Sequence, residues 1–150
     1  MGFAPTENQR LCTAHITDGT SSTLMFSEGL VPTVANWGGP IGSIIYGNMG
    51  GALFTASLTP NSSAADQPVG PCPSSQGDTS YLAPCSSIAG NAAFTQSGVG
   101  GQVAARSRHT GGVNGALADG AVRFFSNGTT QTVWRALGTR SGGEPNANAD

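Results

Sequence analysis

Lysine is missing from this 150-residue chain, and its six basic residues are all arginines: Arg10, Arg106, Arg108, Arg123, Arg135 and Arg140. Scattered singly against a net charge of -2, they form no basic stripe, so a nucleic-acid partner is not expected. Charged residues are only 9% of the chain, against about 25% in ordinary soluble domains. No apolar run approaches the ~20 residues that cross a bilayer, so no membrane span is expected. The N-terminus, MGFAPTENQRLC, lacks the charged and apolar regions of a signal peptide. Two histidines, three cysteines and eight acids form no nucleophile–base pattern of familiar spacing. Ser107, two residues before His109, is no triad signature. Asp18, Glu28, Asp66 and Asp78 are not spaced as calcium ligands. The expectation is therefore no enzyme, no metal and no cofactor.

With so little charge, polarity must come from Ser, Thr, Asn and Gln, which suit β-sheet faces and tie down turns by local hydrogen bonds. Twenty-three glycines and nine prolines punctuate the chain too often for long helices. These features predict a mainly β, loop-rich single domain over 1–150 with minor α. Residues 1–15 read as an entering arm, 61–102 as a long irregular loop region and 145–150 as a tail. Leu24-Met25-Phe26 is an apolar run fit for a buried strand, preceded by turn chemistry at Asp18-Gly19. Asp18 reads as an Asx-turn residue rather than a metal or acid–base group. Ile44-Ile45-Tyr46 and Leu53-Phe54 are strand fragments or irregular loop anchored in the core. Trp37, Tyr46 and Tyr81 are the aromatics available for a binding surface, although a lone Trp such as Trp37 is more often core or lid. Asn61-Ser62-Ser63 and Asn127-Gly128-Thr129 match the N-glycosylation pattern, which is short and common.

Cys72 and Cys85 bracket a Ser/Gly/Pro-rich loop with little hydrophobic content to hold it. They read as a disulfide worth roughly 3 kcal/mol, which implies an oxidising compartment. The alternative is a pair of unpaired small hydrophobes. Cys12 is then free and buried, or paired outside the chain.

The sharpest local reading is a hairpin over Val113–Ser126, because Asp119-Gly120 lies between apolar flanks and glycine readily takes positive φ. A two-residue turn pairs Leu117 with Val122, Ala116 with Arg123 and Gly115 with Phe124. Val113, Gly115, Leu117, Val122 and Phe124 then share one face, with Gly115 making room for the Phe124 ring. Asn114, Ala116, Arg123 and Phe125 fall on the other. In an extended chain His109 and Asp119 stand roughly 30 Å apart, so they are not read as a catalytic pair. Asp119 belongs to the turn, and His109 anchors the entering loop through backbone or an arginine. Thr130 caps a short helix, QTVWRAL, that closes at Gly138 as a C′ residue, with Trp134 in the core.

RSRHTGGVNGALADGAVRFFS, with its histidine, nine residues and Asp-Gly, followed by WRALGTRSGGE, resembles the ending of a bacterial prepilin-like family, domain of unknown function 1559. ITDGTSSTLMFSE, FTASLTPNS and the two cysteines resemble its other segments, so the likeness runs over residues 15–144. It implies a pseudopilin-like head with an antiparallel sheet, in which His109, Asp119 and Gly120 are structural or recognition elements. The long N-terminal pilin helix and its processing site are not in this sequence, which is either a head fragment or a variant assembling without them. The implied function is an extracellular or cell-surface structural subunit that packs against copies of itself, or against a secretion or surface apparatus. The alternative is an extracellular binding module for carbohydrate or a surface partner, using Trp37, Tyr46 and Tyr81.

Overall fold

The computed structural model describes residues 12–33, 54–68, 71–87 and 102–144. Among them a three-stranded antiparallel sheet runs in the order β1 (Leu24–Ser27), β2 (Gly112–Leu117), β3 (Val122–Ser126), followed by one helix, α1 (Gln131–Leu137). The chain is mainly β with minor α, as the glycine and proline punctuation implies. Short 3-10 turns occupy Thr13–His15, Thr20–Ser22 and Pro73–Gln76.

The hairpin forms where the Asp-Gly signal places it, but its register is one residue off the two-residue-turn pairing. Ala116 faces Val122, Gly115 faces Arg123, Asn114 faces Phe124 and Val113 faces Phe125. The loop has three residues, Ala118 to Gly120, closed by hydrogen bonds from Gly120 N–H to Leu117 O (2.9 Å) and from Leu117 N–H to Ala121 O (2.8 Å). Gly120, at φ +87°, takes the left-handed position that such a loop requires. One extra loop residue turns every β3 side chain to the opposite face. Phe125, not Phe124, therefore enters the core, 4% exposed, while Val122 and Phe124 stay 69% and 53% exposed. Gly115 does accommodate an aromatic ring, but it is that of Phe125: a Cβ there would lie 2.8 Å from Phe125 Cε2 and 2.6 Å from Leu24 Cδ1.

The apolar run in β1 is likewise only partly buried. Leu24 pairs with Leu117 and points inward, but an irregularity between Leu24 and Phe26 breaks the alternation. Phe26 is consequently exposed, as is Met25. The Thr20–Ser22 turn docks against the hairpin loop, with Ala118 N–H on Thr23 O (2.8 Å) and Asp119 N–H on Thr20 O (3.1 Å).

The core gathers Leu24, Ala105, Val113, Leu117, Phe125, Trp134 and Leu137 on the inner face. Trp134 lies edge-on to Phe125 at 5.4 Å between ring centroids, and Phe54 anchors its own loop by packing on the same indole. Thr130 caps α1 as its sequence suggests, its Oγ1 accepting the Val133 N–H. Gly138 is different from the expected C′ residue. It ends the helix in right-handed conformation (φ -81°), and a side chain there would collide with Ala56.

The described part of 61–102 is irregular but tightly tied. Cys72 and Cys85 are disulfide-bonded, 5.8 Å apart at Cα. Asp66 forms a parallel bridge with Cys85, and Gln67 an antiparallel one with Gln102. Asp66 and Arg106 make a buried ion pair, with Nε–Oδ2 at 2.7 Å and a second contact from an Arg106 terminal nitrogen to Oδ1 at 3.0 Å. Arg106 also donates to Ser62 O and Ala64 O, and Asp66 Oδ1 accepts the Ala104 N–H. Asp78 gathers the N–H groups of Thr33, Ser80 and Tyr81 and the Ser80 hydroxyl. These contacts hold its carboxyl well below the usual carboxylate range, against the opposing effect of burial. Polar side chains do here what a hydrophobic loop core would do elsewhere.

Candidate functional site

The histidine of the Asp-Gly motif sits just before β2, on the far side of the strand from the turn. Its partner is a carboxylate rather than backbone or an arginine: His109 Nε2 lies 3.0 Å from Glu28 Oε1, across 81 positions of chain. Glu28 follows the last residue of β1, and its carboxylate grips β2. Oε2 accepts the Asn114 backbone N–H at 2.7 Å, and Oε1 accepts the Asn114 side-chain N–H at 3.0 Å. The Glu28 backbone joins the same junction, donating to Asn114 O and accepting from Arg106 N–H at 2.9 Å. Partial burial pushes the Glu28 carboxyl up, but the two Asn114 bonds and His109 outweigh it, so the group lies below its ordinary value. Glu28 was legible in the sequence only as an unclustered acid, because nothing local announces a partner so distant.

The chain enters β2 through a second polar knot. Ser107 Oγ donates to Gly112 O at 2.6 Å and accepts the His109 N–H at 3.1 Å. Gly111, at φ +88°, turns the chain between them. Asn61 accepts the Ser107 N–H and donates to both Gly112 O and Asn127 Oδ1. The two asparagines of the glycosylation patterns are therefore bonded to each other, and the Asn61 amide is engaged in the fold.

At the other end of β2, Asp119 Oδ1 accepts the Ala121 N–H at 2.9 Å, the Asx-type bond expected of the turn. His109 and Asp119 thus hold opposite ends of one six-residue strand and share no bond. Both Glu28 oxygens and the Asp119 acceptor are occupied by N–H donors, an arrangement suited to clasping strands. Among the described residues no group of three or more His, Cys, Asp or Glu could hold a metal ion.

The clasp lies at one end of an open groove of about 210 Å³ on the outer face of the sheet. Phe26, Ala116 and Val122 line its apolar part, and Ser27, Glu28 and Asn114 its polar end.

Three other candidates are placed differently from expectation. Tyr81 is buried, 8% exposed, and its phenol is pushed up to about 12 by burial and by nearby Asp66 and Asp78. It presents no open face, so it drops out of the binding surface; Trp37 and Tyr46 lie outside the described residues. Asp18 sits in the expected turn, which Gly19 N–H closes on Ile16 O at 3.3 Å, but its carboxylate reaches beyond that turn. It accepts the N–H groups of Gly143 (3.0 Å) and Gly142 (2.7 Å) and the Thr139 hydroxyl, pinning the segment after α1, and these bonds lower its pKa. Cys12 is free but exposed rather than buried, with its thiol 3.6 Å from His15 Nδ1.

The family model described as Protein of unknown function (DUF1559) matches residues 4–132. The chain belongs to this family. No curated protein and no solved structure matches it. The DUF1559 match contains β1, the disulfide, His109, Asp119, Gly120 and the whole hairpin, and ends inside α1. The remaining turn of α1 with Trp134, and the segment pinned by Asp18, lie beyond it. Within this DUF1559 chain the His–Asp-Gly motif brackets β2, each end bonded to a neighbouring element or turn.

Proposed function

We propose that this chain is an extracellular structural subunit, a pseudopilin-like head that packs against copies of itself in a surface filament or secretion apparatus. The observation that carries the reading is the outer face of the sheet. A one-sided antiparallel sheet ordinarily alternates apolar inward and polar outward. Here Phe26, Val122 and Phe124 stand outward at 66%, 69% and 53% exposure, an apolar strip of the kind that marks association surfaces. The Cys72–Cys85 disulfide supports an oxidising, extracytoplasmic setting. In this reading the chain has no catalytic role, and the His109–Glu28–Asn114 cluster is a clasp joining β1 to β2. A carbohydrate-binding surface is less well supported with Tyr81 buried.

Electron microscopy of the purified protein, with light scattering beside it, tests the proposal. Oligomers, rings or filaments are expected. A particle that stays monomeric up to millimolar concentration refutes it.

A further inference from the structure

The dipeptide Asn-Gly occurs at Asn114-Gly115 and again at Asn127-Gly128, and the fold treats the two differently. An asparagine amide before glycine is open to attack by the following backbone nitrogen, because glycine has no Cβ to shield that nitrogen and lets the chain turn toward it. Asn114 is denied the reaction. It lies inside β2, extended between β1 and β3, with Gly115 paired to Ser27 on one side and Arg123 on the other. The Glu28 carboxylate holds both its backbone and its side-chain N–H groups.

Asn127 sits instead in the exposed turn between β3 and α1, which Thr129 N–H closes on Ser126 O at 3.0 Å. Asn61 fixes the orientation of its amide. Asn61 Oδ1 accepts the Ser107 N–H, so its Nδ2 is the atom that donates, to Gly112 O and to Asn127 Oδ1 at 2.9 Å. Asn127 thus offers its oxygen to a donor, which polarises the Cγ carbonyl, and turns its nitrogen away from that contact. The Gly128 N–H meets the neighbouring Ser126 hydroxyl at 3.1 Å, a local bond outside the sheet ladder.

We propose that Asn127 is a site of self-modification, where water replaces the amide nitrogen by way of a cyclic imide with Gly128. The Gly128 nitrogen bonds to Asn127 Cγ and gives up its proton; the Cγ–Nδ2 bond breaks, and Nδ2 gains a proton and leaves as ammonia. Water then opens the ring. Attack at Cγ leaves aspartate at position 127, and attack at the backbone carbonyl leaves isoaspartate, with the chain running through the former side chain. Either product puts a new carboxylate beside Asn61, and isoaspartate also lengthens the turn. The inference is independent of self-association.

The full chain aged at mildly alkaline pH in heavy-oxygen water tests it, with peptide mass spectrometry reading the label at each Asn-Gly. Reaction at Asn114 must await local opening of the sheet, so Asn127 should react faster by about ten-fold or more. In denaturing urea the two rates should converge. Gly128→Ala should slow reaction at Asn127 by about ten-fold or more, since a Cβ then shields the attacking nitrogen. The fold has room for that change: a Cβ at 128 meets nothing closer than Ser126 Oγ at 3.5 Å. Equal rates at the two asparagines in the folded protein would overturn the proposal. So would an Asn127 that reacts in urea but stays unlabelled when folded, or labelling that Gly128→Ala does not slow.

Discussion

Replacing Arg106 by methionine is expected to be among the most damaging single changes outside the apolar core. The Arg106 and Asp66 side chains are 5% and 0% exposed and meet through two contacts, so the substitution leaves a carboxylate buried without its counter-ion. Breaking a buried pair from one side costs roughly 3–5 kcal/mol. Ser62 O and Ala64 O also lose their donors, each a further cost on the order of 1 kcal/mol where water does not reach. Asp66 retains the Ala104 N–H, which limits the loss. Urea unfolding followed by tryptophan fluorescence and far-ultraviolet circular dichroism would read the change. At about 2–4 °C per kcal/mol for a chain of this size, the melting temperature should fall by roughly 10 °C or more. The double variant Asp66→Leu/Arg106→Met removes both charges and should cost less than the sum of the single changes. It should not return to parental stability, because Ala104 N–H, Ser62 O and Ala64 O remain without partners. A single-variant cost under about 1 kcal/mol, or strictly additive costs, would refute the argument that the pair is buried and coupled.

The hairpin register is tested by two neighbouring phenylalanines: Phe125→Ala should cost about 3–5 kcal/mol, and Phe124→Ala under about 1 kcal/mol in the monomer, by urea unfolding. The reverse order would restore the two-residue-turn register. Reducing the Cys72–Cys85 disulfide should destabilise the protein by roughly 3 kcal/mol and open the intervening loop to protease; unchanged proteolysis would mean that Asp78 and Asp66 hold the loop unaided. Acid should unfold the chain early, because the Asp78 carboxyl is depressed from an ordinary value of 3.8 and that of Glu28 from 4.5. A depressed folded-state pKa gives stability that is present above those ordinary values and lost as pH falls through the folded-state ones. Melting temperature against pH should thus fall below about pH 4–5, with a shallower slope in Asp78→Asn; an identical slope would show that Asp78 is not linked to folding.

The hairpin, the α1 cap at Thr130, the buried Trp134 and the disulfide could all be read from local sequence, because each depends on residues a few positions apart or on a short loop that lacks a core. The register could not. Asp119-Gly120 satisfies a two-residue turn and a three-residue loop alike, and adjacent Phe124 and Phe125 put an aromatic ring on each face whichever is chosen. Hydrophobic alternation therefore did not distinguish the two. The same limit hid the exposure of Phe26, since one irregularity at Met25 changes the face to which the next side chain points. The Glu28–His109 and Asp66–Arg106 pairs were invisible for another reason. They join residues 81 and 40 positions apart, and a lone acid in a glycine-rich text carries no sign of which distant donor it will meet.

Those acids also bear on why the face of the sheet is apolar. Of the eight acidic residues, Asp18, Glu28, Asp66, Asp78 and Asp119 each accept at least one backbone N–H. Four of the five reach donors far along the chain, so they fix loops that have few apolar side chains to hold them. Asp66 and Asp78 are buried, so their charge does not serve the surface, and there is no lysine to make up the difference. A monomer designed for life alone in water would place charged side chains where Phe26, Val122 and Phe124 stand. The burial of Asp66 and Asp78 and the uncharged outer strip are two consequences of one composition, and the self-association proposed above would cover that strip.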